Sequence, residues 1–190
     1  MRINTHSLPK EGFTLIELIV VITVIAILST IGVVSFVGYS RSQVLDQATL
    51  DLVQTLNTAK SLSAAQLTIS TKNNEKANCQ SFQTLNGYGV RLYQKQMNGK
   101  TLGYYKLYLE CVANGVEHQY PDLSRSDWQT NLPSNVIFDT TATNITDVFF
   151  PVLSGGVLIT GSLSTDTIAL TSYGNTKTVK FINGIISISQ

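Results

Sequence analysis

Charge, histidine and proline are all scarce in this sequence, and each scarcity excludes something. Only 13% of the 190 residues are charged, 13 basic against 12 acidic. So balanced a chain sets up no global field toward nucleic acid or anionic lipid. Two histidines occur, His6 and His118. His118 lies in Glu117-His118-Gln119-Tyr120 and has no Cys or His companion at ligand spacing, so it reads as a solvated loop histidine rather than a zinc ligand. There is no Gly-x-Ser-x-Gly elbow, no glycine-rich phosphate loop and no dinucleotide fingerprint. Asp139, Asp147 and Asp166 are scattered and match no calcium-loop spacing. We expect no enzyme, no metal and no cofactor. None of the four prolines falls between Pro9 and Pro121, which leaves room for a long helix.

What the sequence does hold is one long apolar run. Residues 18–40 carry no charge and are rich in Ile, Val and Leu. At about 1.5 Å per residue the run spans on the order of 30 Å, the thickness of a bilayer's hydrocarbon core. Glu17 stands at its leading edge. A carboxylate facing lipid costs a few kcal/mol, so it needs a partner or a role. From Arg41 the pattern becomes amphipathic, with Leu45, Ala48, Leu52, Leu56, Ala59 and Leu62 recurring every three or four residues. The spacing predicts one continuous helix from Phe13 to about Gln66, softened at Gly32 and Gly38. Its apolar stripe has to be buried by the C-terminal region.

That region reads as β-rich. Residues 68–86 are polar and irregular and predict a connecting loop. Tyr88, Val90 and Leu92, then Leu107, Leu109 and Cys111, alternate as strands on either side of Asn98-Gly99, with a loop longer than a tight hairpin between them. Residues 113–134, containing Trp128, read as a long loop. Short strands follow around Ile137, Val148, Leu158, Ile168 and Val179, and Asn183-Gly184 signals a final hairpin into Ile185 and Ile186. The expected fold is α+β, a long helix packed on an antiparallel head. Its divisions are a leader at 1–12, an assembly helix at 13–40, an amphipathic continuation at 41–67 and a head at 68–190.

Lys10-Glu11-Gly12-Phe13-Thr14-Leu15-Ile16-Glu17-Leu18 resembles the processing signal of type IV prepilins and pseudopilins. The resemblance implies cleavage after Gly12 by a prepilin peptidase and N-methylation of the new terminus at Phe13. It also implies that Glu17 neutralises the α-amine of a neighbouring subunit. An ammonium at Phe13 and a carboxylate at Glu17 are each costly in lipid alone, and pairing between subunits relieves both. Removing residues 1–12 takes away Arg2, Lys10 and Glu11 and leaves basic and acidic side chains in balance. Other pilin subunits, an inner-membrane assembly platform and the membrane are the implied partners. The implied location is the inner membrane, amino terminus inside and head outside, then a pilus or a type II secretion pseudopilus. The tail, with Phe150-Pro151 near a glycine pair and a final hairpin, resembles H-type minor pseudopilins more loosely. Pilin-type helices often carry a proline, and this one carries none, which weighs toward a minor subunit.

Two features of the head invite chemistry. Cys79 and Cys111 enclose a loop of about 30 residues. They either form a disulfide, stabilising by roughly 3–4 kcal/mol in the chain-entropy picture, or remain two buried thiols; an extracytoplasmic head favours the bridge. Arg91, Lys95, Lys100 and Lys106 interleave with Tyr88, Tyr93, Tyr104, Tyr105 and Tyr108. Such a surface suits single-stranded nucleic acid, and some minor pilins of DNA-uptake systems bind DNA. An ordinary half-buried hairpin with a solvated lysine edge explains it equally. The rival readings of the whole chain are a DNA-binding minor pilin and a membrane-anchored adhesin that never assembles.

Overall fold

The computed structural model describes residues 12, 14–66, 69–70, 76–77, 79, 82–120, 129–141, 143, 145–154, 156–161, 167–182 and 184–189, without the side chains of 30–35, 69–70, 76–77 and 161. Phe13 and Trp128 fall outside the described residues. Helix α1 runs Leu15–Ala65. It ends where Gln66 takes a left-handed φ of 52°, a conformation that halts helical bonding. The chain divides into two compact units, Met1–Ser40 and Arg41–Gln190.

In the second unit twelve strands follow the helix among the described residues: β1 (Ile69–Ser70), β2 (Lys76–Ala77), β3 (Thr84–Met97), β4 (Lys100–Ala113), β5 (Val116–Tyr120), β6 (Gln129–Asn131), β7 (Ile137–Phe138), β8 (Ile145–Pro151), β9 (Leu158–Gly161), β10 (Thr167–Ser172), β11 (Asn175–Ile182) and β12 (Ile185–Ser189). β1 and β2 pair with each other. The larger sheet has the order β5-β4-β3-β8-β9, with β6 also on β4; the smaller has the order β12-β11-β10-β7. Every pairing is antiparallel.

Tight turns set the registers. Asn98 and Gly99 both have positive φ, 51° and 74°. They close a two-residue hairpin with Met97 opposite Lys100. The longer loop expected there is absent because Asn-Gly accepts the left-handed turn that matches strand twist. Asn114 and Gly115 do the same at 51° and 79°, and Ala113 faces Val116. Part of the expected loop at 113–134 is therefore strand β5. His118 lies on that strand, half-buried and opposite Cys111 rather than in a solvated loop.

The stripe Leu45, Ala48, Leu52, Leu56 and Ala59 is buried to 2% exposure or less. It joins one core with Tyr88, Val90, Leu109, Val148 and Phe150 of the larger sheet and Ile168, Leu170, Val179 and Phe181 of the smaller. Polar contacts fix the helix along β11. The Arg41 guanidinium lies 4.1 Å over the Tyr173 ring. Lys177 pairs with Asp46 at 3.0 Å, and Lys60 Nζ donates to the Gly184 carbonyl at 2.8 Å. The partners ascend together on both elements, so β11 runs alongside α1 in the same direction. Ser63 Oγ donates to the Phe150 carbonyl at 2.7 Å and ties the last turns of α1 to β8. Cys79 and Cys111 are joined in a disulfide, with Cα atoms 5.6 Å apart.

Leu56 is fully buried where helix and sheets meet. Leu56→Ala is expected to cost about 2–5 kcal/mol, the range for a large-to-small change in a packed core. Urea unfolding checks this: the midpoint falls while the slope stays constant.

Candidate functional site

Gly12 is exposed, and a Cβ built on it meets nothing within 4 Å. The described residues leave room for a side chain there. Three residues later, at Leu15, the helix begins. The Glu17 backbone N–H donates to Thr14 Oγ1 at 3.3 Å, and the Leu18 N–H donates to the Thr14 carbonyl at 3.2 Å. Thr14 is thus the N-cap, and Thr14-Leu15-Ile16-Glu17 has the spacing of a capping box. The cap was legible in that four-residue pattern and was missed. Glu17 occupies the first turn, where the unbonded N–H groups of a helix favour a negative charge. Phe13, beside the cap, lies outside the described residues.

Beyond the cap, α1 exposes apolar side chains on every face. Between Leu15 and Leu28 the exposure of the large apolar residues ranges from 47% at Ile19 to 76% at Leu15, and Ile25 and Leu28 are at 56% and 64%. A helix covered in apolar groups all round needs an apolar surrounding. Its hydroxyls are already prepared for one. Thr23 Oγ1 donates to the Val20 carbonyl and Ser29 Oγ to the Ile25 carbonyl, both at 2.8 Å. Each satisfies its own donor on its own helix, which lowers the cost of leaving water. Among the described residues, no helix is long and apolar enough to cross a membrane.

The basic-aromatic group is dispersed by strand alternation. Tyr88 and Tyr105 are buried in the core with the helix stripe. Arg91, Tyr93, Tyr104, Lys106 and Tyr108 fall on the opposite face of the sheet. There Tyr93 pairs with Tyr104 and Arg91 with Lys106 across β3 and β4. Tyr93 and Tyr104 stack at 4.9 Å, with Lys106 Nζ 5.8 Å and 6.0 Å from their ring centres. Lys106 is only 5% exposed. Lys95 and Lys100 are exposed.

Arg91 belongs to a partly buried polar network instead. Its Nε donates to Asp147 Oδ2 at 2.7 Å, and Tyr108 Oη donates to Asp147 Oδ1 at 2.9 Å. Glu110 accepts from Asn86 Nδ2 at 2.6 Å and from Gln119 Nε2 at 3.1 Å. Tyr108 sits directly over Gly89, where any Cβ would overlap its ring. Burial pushes the Asp147 carboxyl above the ordinary carboxylate range, against the hydrogen bond and charge of Arg91, which pull it down. Burial likewise holds the Tyr108 hydroxyl far above the usual phenol range, with Asp147 adding to the rise. For Arg91 burial is the largest influence and opposes the charge, but the hydrogen bond and charge of Asp147, with Tyr108 and Tyr93, together outweigh it and hold the guanidinium more firmly protonated. Among the described residues no cluster of His, Cys, Asp and Glu is arranged to hold a metal.

Residues 9–33 match the family described as the prokaryotic N-terminal methylation motif. Neither the curated proteins nor the solved structures gave a match. The chain therefore carries the type IV prepilin and pseudopilin signal, which marks a structural subunit processed by a prepilin peptidase. The match stops short of the head, and the looser H-type resemblance of the tail gains nothing from it.

The Asp147 shift has a direct consequence for stability. A carboxyl raised in the fold binds its proton more tightly there than in the unfolded chain. Its contribution is full below the unfolded carboxylate pKa and is lost as pH rises from about 4 through the folded value. Asp147→Asn removes that titration. Urea unfolding of both proteins at several pH values should show the wild type losing stability relative to the variant as pH rises through this window. A wild-type advantage that grew with pH would mean that pairing with Arg91 outweighs burial.

Proposed function

We propose that this chain is a minor pilin-type subunit, cleaved after Gly12 and assembled through its N-terminal helix into a pilus or a secretion pseudopilus. The methylation-motif match carries the reading. The helix start at Leu15, two residues after the expected mature terminus, supports it, because the signal and the structural element adjoin. The all-round apolar exposure of residues 15–29 supports insertion in a membrane before assembly and packing among neighbouring helices afterwards. The absence of proline from the helix and the loose resemblance of the tail to H-type pseudopilins favour a minor subunit.

In this reading Glu17 has two tasks. Its backbone N–H completes the cap, and its carboxylate remains available to an amine. A new α-amine at Phe13 would stand close to the positive end of α1, where its charge is unfavourable. In a single subunit both groups reach the headgroup region and stay hydrated. Within a filament, apolar helices close that route. Pairing between the Phe13 amine of one subunit and Glu17 of the next then offsets desolvation, and breaking a buried pair costs about 3–5 kcal/mol.

Glu17→Ala keeps the Thr14 cap, which uses only the backbone of residue 17. The variant is expected to insert and to be cleaved normally but to be depleted from the sheared-filament fraction when expressed beside its native assembly machinery. Wild-type levels in that fraction would show the carboxylate to be dispensable. Loss from the membrane fraction would place its role at insertion instead.

A further inference from the structure

One tight turn of the head departs from the others. Met97 faces Lys100 across Asn98-Gly99, and Ala113 faces Val116 across Asn114-Gly115. Ser172 faces Asn175 across Tyr173-Gly174, with φ of 50° and 85° at the two turn positions. Asparagine accepts the left-handed conformation at the first of these positions, whereas a bulky tyrosine is an outlier there. Here the asparagine stands two places later, at Asn175. Tyr173 is 55% exposed, so no core packing offsets the strain. An outlier of this kind points to a task for the side chain. What Tyr173 touches is Arg41, whose guanidinium lies 4.1 Å from the ring centre. Arg41 is exposed and is the first charged residue after the uncharged run 18–40. A ring face takes up none of its in-plane N–H donors. Among the described residues no carboxylate pairs with it, and the next acidic residue along α1, Asp46, is held by Lys177.

We propose that Arg41 and Tyr173 form a seat for a lipid phosphate, through which the β10–β11 turn rests on the bilayer surface while the subunit is still in the membrane. This inference rests on the insertion proposed above. The uncharged run spans on the order of 30 Å, the thickness of the hydrocarbon core, and so brings the residue that follows it to the headgroup layer. Tyrosine is enriched at that depth, with its ring among the acyl ends and its hydroxyl in water. Tyr39, two residues before Arg41, is exposed as well. A guanidinium offers a planar fork that matches two phosphate oxygens, and an aromatic ring against it limits its orientations before the phosphate arrives. The tip of the turn is otherwise small and polar, with Gly174, Asn175 and Thr176 exposed. Thr171 Oγ1 donates to the Asn175 carbonyl at 3.1 Å and braces it from behind. A phosphate ion in solution would meet a single guanidinium here, too little to hold it against water. The bilayer presents its phosphates at the depth that Arg41 already occupies, and is therefore the source.

The test uses the full-length protein in dilute vesicles of phosphatidylethanolamine and phosphatidylglycerol. Cys79 and Cys111 are joined to each other, so an added cysteine alone takes a nitroxide label. Asn175→Cys puts the label at the turn. Ile185→Cys puts it beside the far end of β11, about 23 Å away along the strand, and Ile25→Cys puts it in the apolar run. Broadening of the lipid phosphorus resonance is then measured. The label at 175 is expected to broaden it strongly and the label at 185 to leave it sharp. Arg41→Gln and Tyr173→Asn, each added to the Asn175→Cys chain, are expected to reduce the broadening to the level of the label at 185. Asparagine relieves the strained turn, so the urea midpoint of Tyr173→Asn is expected to hold or rise. A tyrosine with only a structural part would give the reverse, a lower midpoint and unchanged broadening, and that result would overturn the proposal. So would broadening that appears only when the protein is crowded in the bilayer, which would assign Arg41 to a neighbouring subunit. No broadening from 175 while the label at 25 is shielded from water would refute the seat and leave insertion standing. A label at 25 open to water would overturn both.

Discussion

Both sheets of the head depend on one contact, the stripe of Leu45, Ala48, Leu52, Leu56 and Ala59 along α1. Neither sheet could bury its inner face alone. The larger presents Tyr88, Val90, Leu109, Val148 and Phe150 to the shared core, and the smaller presents Ile168, Leu170, Val179 and Phe181. Burying a large apolar side chain is worth about 1.5–3 kcal/mol, and this seam collects many of them. The polar clamps beside it, Arg41 on Tyr173, Asp46 on Lys177 and Lys60 on Gly184, contribute less energy but fix the axial register of β11 against the helix.

The N-terminal part of the same helix presents a different surface. Between residues 15 and 29 the apolar side chains are exposed all round, and the two hydroxyls bond back to their own helix. An apolar surface of this kind favours an apolar surrounding, and the residues at its leading end are distinctive. Gly12 leaves open space, Thr14 caps the helix, and Glu17 places a carboxylate in the first turn. The methylation motif covers these residues and most of the apolar run. A head held by its own core and an N-terminal helix that lacks cover suit a part made to be joined to others.

Much of this was legible in the residues. The 3.6-residue period gave α1 within about two residues of Leu15–Ala65, and apolar runs between turn residues located most of the later strands. Asn98-Gly99 was recognised, but its tightness depends on positive φ at both positions. Asn114-Gly115 carried the same signal and was passed over, which hid β5 and put His118 in a loop. Other features have no local signal. Arg91 meets Asp147 only because β3 pairs with β8 across 56 positions of sequence. The tyrosines read as one surface because their spacing was taken without the two-residue alternation of a strand. That alternation turns Tyr88 and Tyr105 into the core while Tyr93 and Tyr104 face away.

The central claim is that this chain is a substrate of N-terminal processing whose mature amino terminus is Phe13. Intact-mass and N-terminal peptide mass spectrometry of the protein purified from its native membranes tests it most directly. The account predicts a chain lacking residues 1–12, with a single methyl group on the α-amine of Phe13. A native protein that retained residues 1–12, with Gly12 joined to Phe13, would contradict it.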